Sequence, residues 1–152
     1  MLSRSKAIQN IFKIHGENAL YITNTGYISR AVHNEYPFSH NIFYMQGSMG
    51  LAPCIGLGLA KNTDKDVVVL SGDGALLMHY GITFTIDDAK LNNLYVYVLD
   101  NGCHESVGSY KCSHLPTNIP GITKIIKISQ DGKLQRVGID CTTNKKLFKS
   151  CL

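Results

Sequence analysis

No apolar run in this chain of 152 residues approaches the ~20 needed to cross a bilayer, and Met1-Leu2-Ser3-Arg4-Ser5-Lys6 contains no apolar signal core. A cytoplasmic protein with no membrane contact is expected. Repeats and low-complexity segments are also lacking, so no solenoid or linker region is expected. The five cysteines, Cys54, Cys103, Cys112, Cys141 and Cys151, form an odd set without a paired framework. Free thiols in a reducing compartment follow. Cys103-His104 and Cys112-Ser113-His114 have the spacing of no common zinc site. Basic residues exceed acidic ones, 15 to 11, but they are scattered, which argues against a nucleic-acid groove. A basic rim that attracts anionic small molecules fits the same charge. Glutamate is scarce, with only Glu17, Glu35 and Glu105.

With 44% apolar and 17% charged residues, the chain has the composition of one globular domain spanning residues 1–152. Ala7, Ile8, Ile11, Phe12 and Ile14 predict a helix over 6–14 that Gly16 ends. A strand is expected over 19–23, a short helix over 27–34, a loop over 34–39 and a helix over 50–60. A strand, one long helix and a second strand are expected between residues 67 and 99. A strand over 122–128 and a helix over 144–151 close the chain.

The most informative stretch is Ser71-Gly72-Asp73-Gly74, after the apolar run Val67-Val68-Val69-Leu70. Asp100-Asn101-Gly102 answers it after a second run, Leu94 to Leu99. Mg²⁺ takes oxygen ligands and is usually held by one or two carboxylates together with phosphate oxygens. Asp73 can supply the charge and Asn101 a neutral oxygen. Gly72 and Gly74 permit a sharp turn and close approach to an anion, and a helix from Ala75 onward directs free N–H groups at it. An Asp-Gly pair can equally form a plain hairpin turn, but residues 75–80 do not alternate as a return strand would. Upstream, Gly47-Ser48-Met49-Gly50 and Gly56-Leu57-Gly58 read either as a second part of the site or as a helix packed closely on a sheet.

Taken together, residues 43–50, 72–79 and 100–108 resemble the thiamine diphosphate enzymes, within them the phosphonopyruvate decarboxylases and the related sulfopyruvate decarboxylases. Thr25-Gly26 fits the same group, and the resemblance runs from about the first helix to Gly108. It implies an α/β three-layer sandwich with a mainly parallel sheet, the diphosphate-binding half of such an enzyme. The implied magnesium ligands are Asp73, Asn101 and the backbone carbonyl of Cys103. The diphosphate would lie on Thr25, Gly26, Gly72, Gly74 and Ala75. Gly47, Ser48 and Met49 would hold the pyrimidine, with Met49 bending the cofactor. His104, just past the metal site, is the candidate catalytic residue, for substrate contact or proton transfer; the alternative is a surface or capping histidine.

The implied reaction is decarboxylation of a 3-substituted 2-oxo acid, phosphonopyruvate first and sulfopyruvate as the alternative. A non-catalytic subunit that keeps the fold is a third reading. The chain departs from the family after Gly108, where Ser109-Tyr110-Lys111 stands in place of Gly, a polar residue and Pro. A strand-and-helix unit is expected to be missing before residue 122, which would shorten the C-terminal side. None of the three glutamates lies in a segment resembling the pyrimidine-binding domain, whose glutamate activates the cofactor. The resemblance therefore implies a hetero-oligomer, with an α-type partner chain supplying that residue.

Overall fold

The computed structural model describes residues 1–130 and 132–152. Among the described residues seven strands are present: β1 (Leu20–Thr23), β2 (Ile42–Tyr44), β3 (Val67–Gly72), β4 (Leu94–Asp100), β5 (Cys103–His104), β6 (Tyr110–Lys111) and β7 (Lys124–Lys127). Five of them form one all-parallel sheet in the order β2-β1-β3-β4-β7. The other two make a small antiparallel hairpin. β1 is buried along its whole length and β3 up to its last residue, as expected of strands covered on both faces.

The helices are α1 (Arg4–His15), α2 (Tyr27–Glu35), α3 (Ala52–Ala60), α4 (Asp73–Met78), α5 (Ile82–Ala89) and α6 (Cys141–Lys149). α1 and α2 bury Ala7, Ile8, Ile11, Ala31 and Val32 against Tyr21, Val68, Leu70 and Leu99 on one face of the sheet. α3, α5 and α6 bury Leu57, Ile86 and Phe148 against Leu20, Ile22, Val67, Val69 and Val96 on the other. Alternate strand residues thus feed two cores, and the result is the expected three-layer α/β sandwich.

Several boundaries differ from expectation for local reasons. The helix expected from Gly50 starts at Ala52, because Gly50, at φ +93°, lies in the preceding turn; a Cβ there would fall 2.6 Å from the Ala75 carbonyl oxygen. The long helix expected after β3 is two helices. His79 leaves helical geometry at φ −134°, and the chain restarts at Ile82. The break lets Leu76 pack with Val98 and Ile119 while Ile86 packs in the larger core. β2, three residues long, had no periodic signal of its own. The final helix begins three residues early, capped by the Asp140 side chain on the Thr143 N–H. Between β4 and β7 the described residues include the hairpin and one 3₁₀ turn (Glu105–Val107) but no α-helix, consistent with the expected missing unit.

Counted within the sheet, the strand order is 2-1-3-4-5, so the crossovers change sides between β1 and β3. Ligands in open α/β sheets bind outside the carboxyl ends of the strands at such a switch point.

Candidate functional site

A small cleft of ≈ 60 Å³ opens at that switch point. It is lined from the end of β1 by Asn24 and Thr25, from the end of β3 by Gly72 to Ala75, and from the segment after β4 by Asn101 and Cys103 to Ser106. The two motifs separated by about two dozen residues are therefore brought together, because β3 and β4 are parallel neighbours in register from Val67–Leu94 to Gly72–Leu99.

Asp73 is 4% exposed. Its Oδ2 accepts from the Gly102 N–H at 3.0 Å, and the same N–H reaches Asp100 Oδ1 at 3.0 Å. Two buried carboxylates thus share one donor. Lys127 forms an ion pair with Asp100, whereas among the described residues no cationic side chain pairs with Asp73. Burial, and to a lesser extent the Asp100 charge, pushes the Asp73 carboxyl above the usual carboxylate range, opposed by the N–H groups of Gly74 and Gly102. Burial, and after it the Asp73 carboxylate, raises the Cys112 thiol to about 11. A buried carboxylate with no paired cation among the described residues, lining the same cleft as a carboxamide, is the hard-oxygen donor set that suits Mg²⁺. The residues present fit the ion that the resemblance implies.

Asn101 is held on both sides. Its Oδ1 accepts from the Cys103 N–H at 3.2 Å, and its Nδ2 donates to Glu105 Oε2 at 2.8 Å. The Cys103 thiol accepts from Gln130 Nε2 at 3.1 Å. Gly74 is required by something the sequence did not suggest: a Cβ there would lie 2.3 Å from His104 Cε1. The imidazole is laid across the start of α4. Gly26 lies against the 3₁₀ turn less tightly, with its virtual Cβ 3.1 Å from Ser106 Oγ. The segments 24–26 and 104–106 therefore pinch the cleft.

Thr25, Gly72, Asp73, Gly74, Ala75, Asn101, Cys103 and His104, together with Met49, line this one cleft. Gly26 lies at its rim and also lines a small neighbouring cavity. Gly47 and Ser48 do not line the cleft; both are exposed, on an apolar groove with Phe43, Met45, Leu51 and Ile55. The turn is anchored by the Gly50 N–H on Asn24 Oδ1 at 3.1 Å, with Ser48 at φ +53°. Arg4 and Asn24 were not anticipated in the cleft, and Glu105 was noted within the 100–108 motif and as one of three glutamates, without a role of its own. A basic residue in the first turn of a helix opposes the macrodipole, and at Arg4 that was the available signal.

The model of the thiamine pyrophosphate enzyme C-terminal TPP binding domain matches residues 23–119. Sulfopyruvate decarboxylase subunit beta of Methanothermobacter thermautotrophicus is 42% identical over 75% of this chain and 60% of its own length. The same-named subunit of Methanocaldococcus jannaschii is 37% identical over 80% and 64%. Phosphonopyruvate decarboxylase of Streptomyces viridochromogenes is 33% identical over 79% of this chain and 30% of its own length. The chain thus spans less than two thirds of the length of these relatives. A solved structure from Mycobacterium smegmatis, described as thiamin diphosphate-dependent, superposes with a TM-score of 0.58 at 20% identity, over 76% of this chain and 24% of that one. It supports the fold.

Proposed function

Because the chain belongs to the thiamine pyrophosphate enzymes through their C-terminal TPP binding domain, we propose that it is the diphosphate-binding part of a decarboxylase acting on a 3-substituted 2-oxo acid. The observation that carries this reading is Asp73, a buried carboxylate at the switch point of the sheet that no cation pairs with among the described residues. Mg²⁺ would supply the missing charge, held by Asp73 and Asn101. When bound, thiamine diphosphate supplies the electron sink for loss of CO₂ from a 2-oxo acid.

The chain's own residues bind and shape. Gly72, Gly74 and Ala75 present backbone at the start of α4, and Thr25-Gly26 closes the opposite wall. His104 lies against Gly74 at the start of α4, where the diphosphate would sit, so its imidazole would swing off Gly74 to admit it. So displaced, the imidazole would be free to contact the acid group or carry a proton. Met49 reaches the cleft from the turn whose Gly47 and Ser48 face the apolar groove. A pyrimidine-binding partner would seat there, making a hetero-oligomer.

Sulfopyruvate is the leading substrate, because the two β subunits exceed the phosphonate enzyme in identity. Phosphonopyruvate, placed first from the motifs, is retained as the second reading on the 33% match. The test is CO₂ release from each acid by the complex that a tagged chain captures from its own cells, with thiamine diphosphate and Mg²⁺ supplied. Turnover that vanishes in Asp73→Ala is expected, faster with sulfopyruvate. Turnover unaffected by Asp73→Ala, or none from a complex that contains a pyrimidine-domain partner, overturns the proposal.

A further inference from the structure

Glu105 is the one glutamate placed against the cleft. Its side chain is 6% exposed, and Oε2 pairs with the Arg4 guanidinium, itself 2% exposed. The same Oε2 accepts from Asn101 Nδ2 at 2.8 Å. Oε1 is buried with no hydrogen-bond partner among the described residues. Stability does not explain this arrangement. Buried ion pairs are often no better than well-packed apolar groups of the same volume, and an orphaned carboxylate oxygen adds a cost that a structural pair would avoid.

Orientation does explain it. A half-turn of a carboxamide exchanges its oxygen and nitrogen, and only the oxygen can ligate Mg²⁺. An ionised carboxylate only accepts hydrogen bonds, so Glu105 fixes Nδ2 on its own side and turns Oδ1 away from itself. The Cys103 N–H on Oδ1 enforces the same sense. Glu105 is in turn fixed by a residue 101 positions away in the sequence. Arg4 opens α1, and the residues before it are stitched to the end of β7 by the Leu2–Ile128 bridge and the Ser129 N–H on the Leu2 carbonyl at 2.9 Å. An arginine there does nothing for its own helix.

We infer that Glu105, held by Arg4, is a positioning residue of the metal site that orients the Asn101 carboxamide so its oxygen faces the ion. The inference rests on the cofactor reading above. Outer partners of metal ligands typically change affinity roughly 10- to 100-fold when removed.

The experiment is equilibrium dialysis of thiamine diphosphate against a series of Mg²⁺ concentrations, on the complex captured with the full chain, for wild type, Glu105→Ala and Glu105→Gln. Thermal unfolding is followed in parallel. In Glu105→Ala the half-saturating Mg²⁺ should rise roughly 10- to 100-fold. Glu105→Gln, which keeps an acceptor but lets the carboxamide turn, should show a smaller rise in the same direction. A lowered unfolding temperature with an unchanged Mg²⁺ midpoint makes the pair merely structural and overturns the inference. If Glu105→Ala yields no complex, the Glu105→Gln midpoint decides alone. Wild type that binds no cofactor at any Mg²⁺ concentration overturns the cofactor reading, and this inference with it.

Discussion

At the scale of single residues, the contact between Gly74 and His104 is the one most open to direct test. Alanine should suit position 74 as a helical residue by up to about 1 kcal/mol over glycine. Its methyl, however, would fall 2.3 Å from the imidazole. Forcing such overlap costs about 1–3 kcal/mol unless the neighbour moves. Gly74→Ala should therefore destabilise the wild-type chain and stabilise the His104→Ala chain, a coupling of at least about 1 kcal/mol in a double-mutant cycle followed by urea unfolding. Additivity within about 0.5 kcal/mol would mean the ring does not rest there. The pair also marks how far the sequence could be read. Asp73, Gly74, Asn101 and His104 were recognisable because each lies within a few residues of a strand end. Arg4 is 101 residues from the glutamate it pairs with, and no local pattern connects them. At Gly74 the sequence signalled close approach, and the structure adds an approaching group, His104, that no local pattern announced.

Among the elements, α6 closes the edge of the sheet through one side chain. Asn144 donates from Nδ2 to the Ile42 carbonyl at 2.8 Å and accepts the Tyr44 N–H on Oδ1 at 3.0 Å. It acts as a short mimic of a neighbouring strand on β2, whose outer edge would otherwise present unpaired groups. Each buried group left without a partner costs about 1–3 kcal/mol. Asn144→Ala should lower stability by at least that much and speed amide exchange at Tyr44 while leaving the centre of β3 protected. Equal loss of protection at Val68 and Tyr44 would show that β2 is no separate unit. The elements with long apolar runs, β3 and β4, were legible because burial on both faces writes itself into the sequence. β2 was not, since three residues held by an asparagine a hundred positions away carry no period. The split between α4 and α5 was hidden as well. Apolar residues run through it, and only packing against two different parts of the core shows the turn at His79.

For the whole molecule, the parallel sheet sorts the three glutamates by edge, and this determines what the chain can do alone. Glu17 lies in the connection that enters β1, and Glu35 ends α2 and accepts from Gln9 Nε2 at 2.8 Å. Strands and returning helices run oppositely, so both lie at the amino-terminal edge, away from the cleft at the carboxyl ends. Glu105 is at the right edge, but its carboxylate is already engaged by Arg4 and Asn101. On the proposed function, the glutamate that would activate the cofactor is therefore expected from a partner chain. The chain purified alone should release no CO₂ from sulfopyruvate at saturating thiamine diphosphate and Mg²⁺, and adding a pyrimidine-domain partner should restore turnover. In that reconstituted complex Glu17→Gln and Glu35→Gln should change kcat by less than about 2-fold, since surface substitutions away from a site leave it nearly untouched. Turnover by the chain alone, lost in either of those variants, would place the activating carboxylate within the chain and remove the need for a partner.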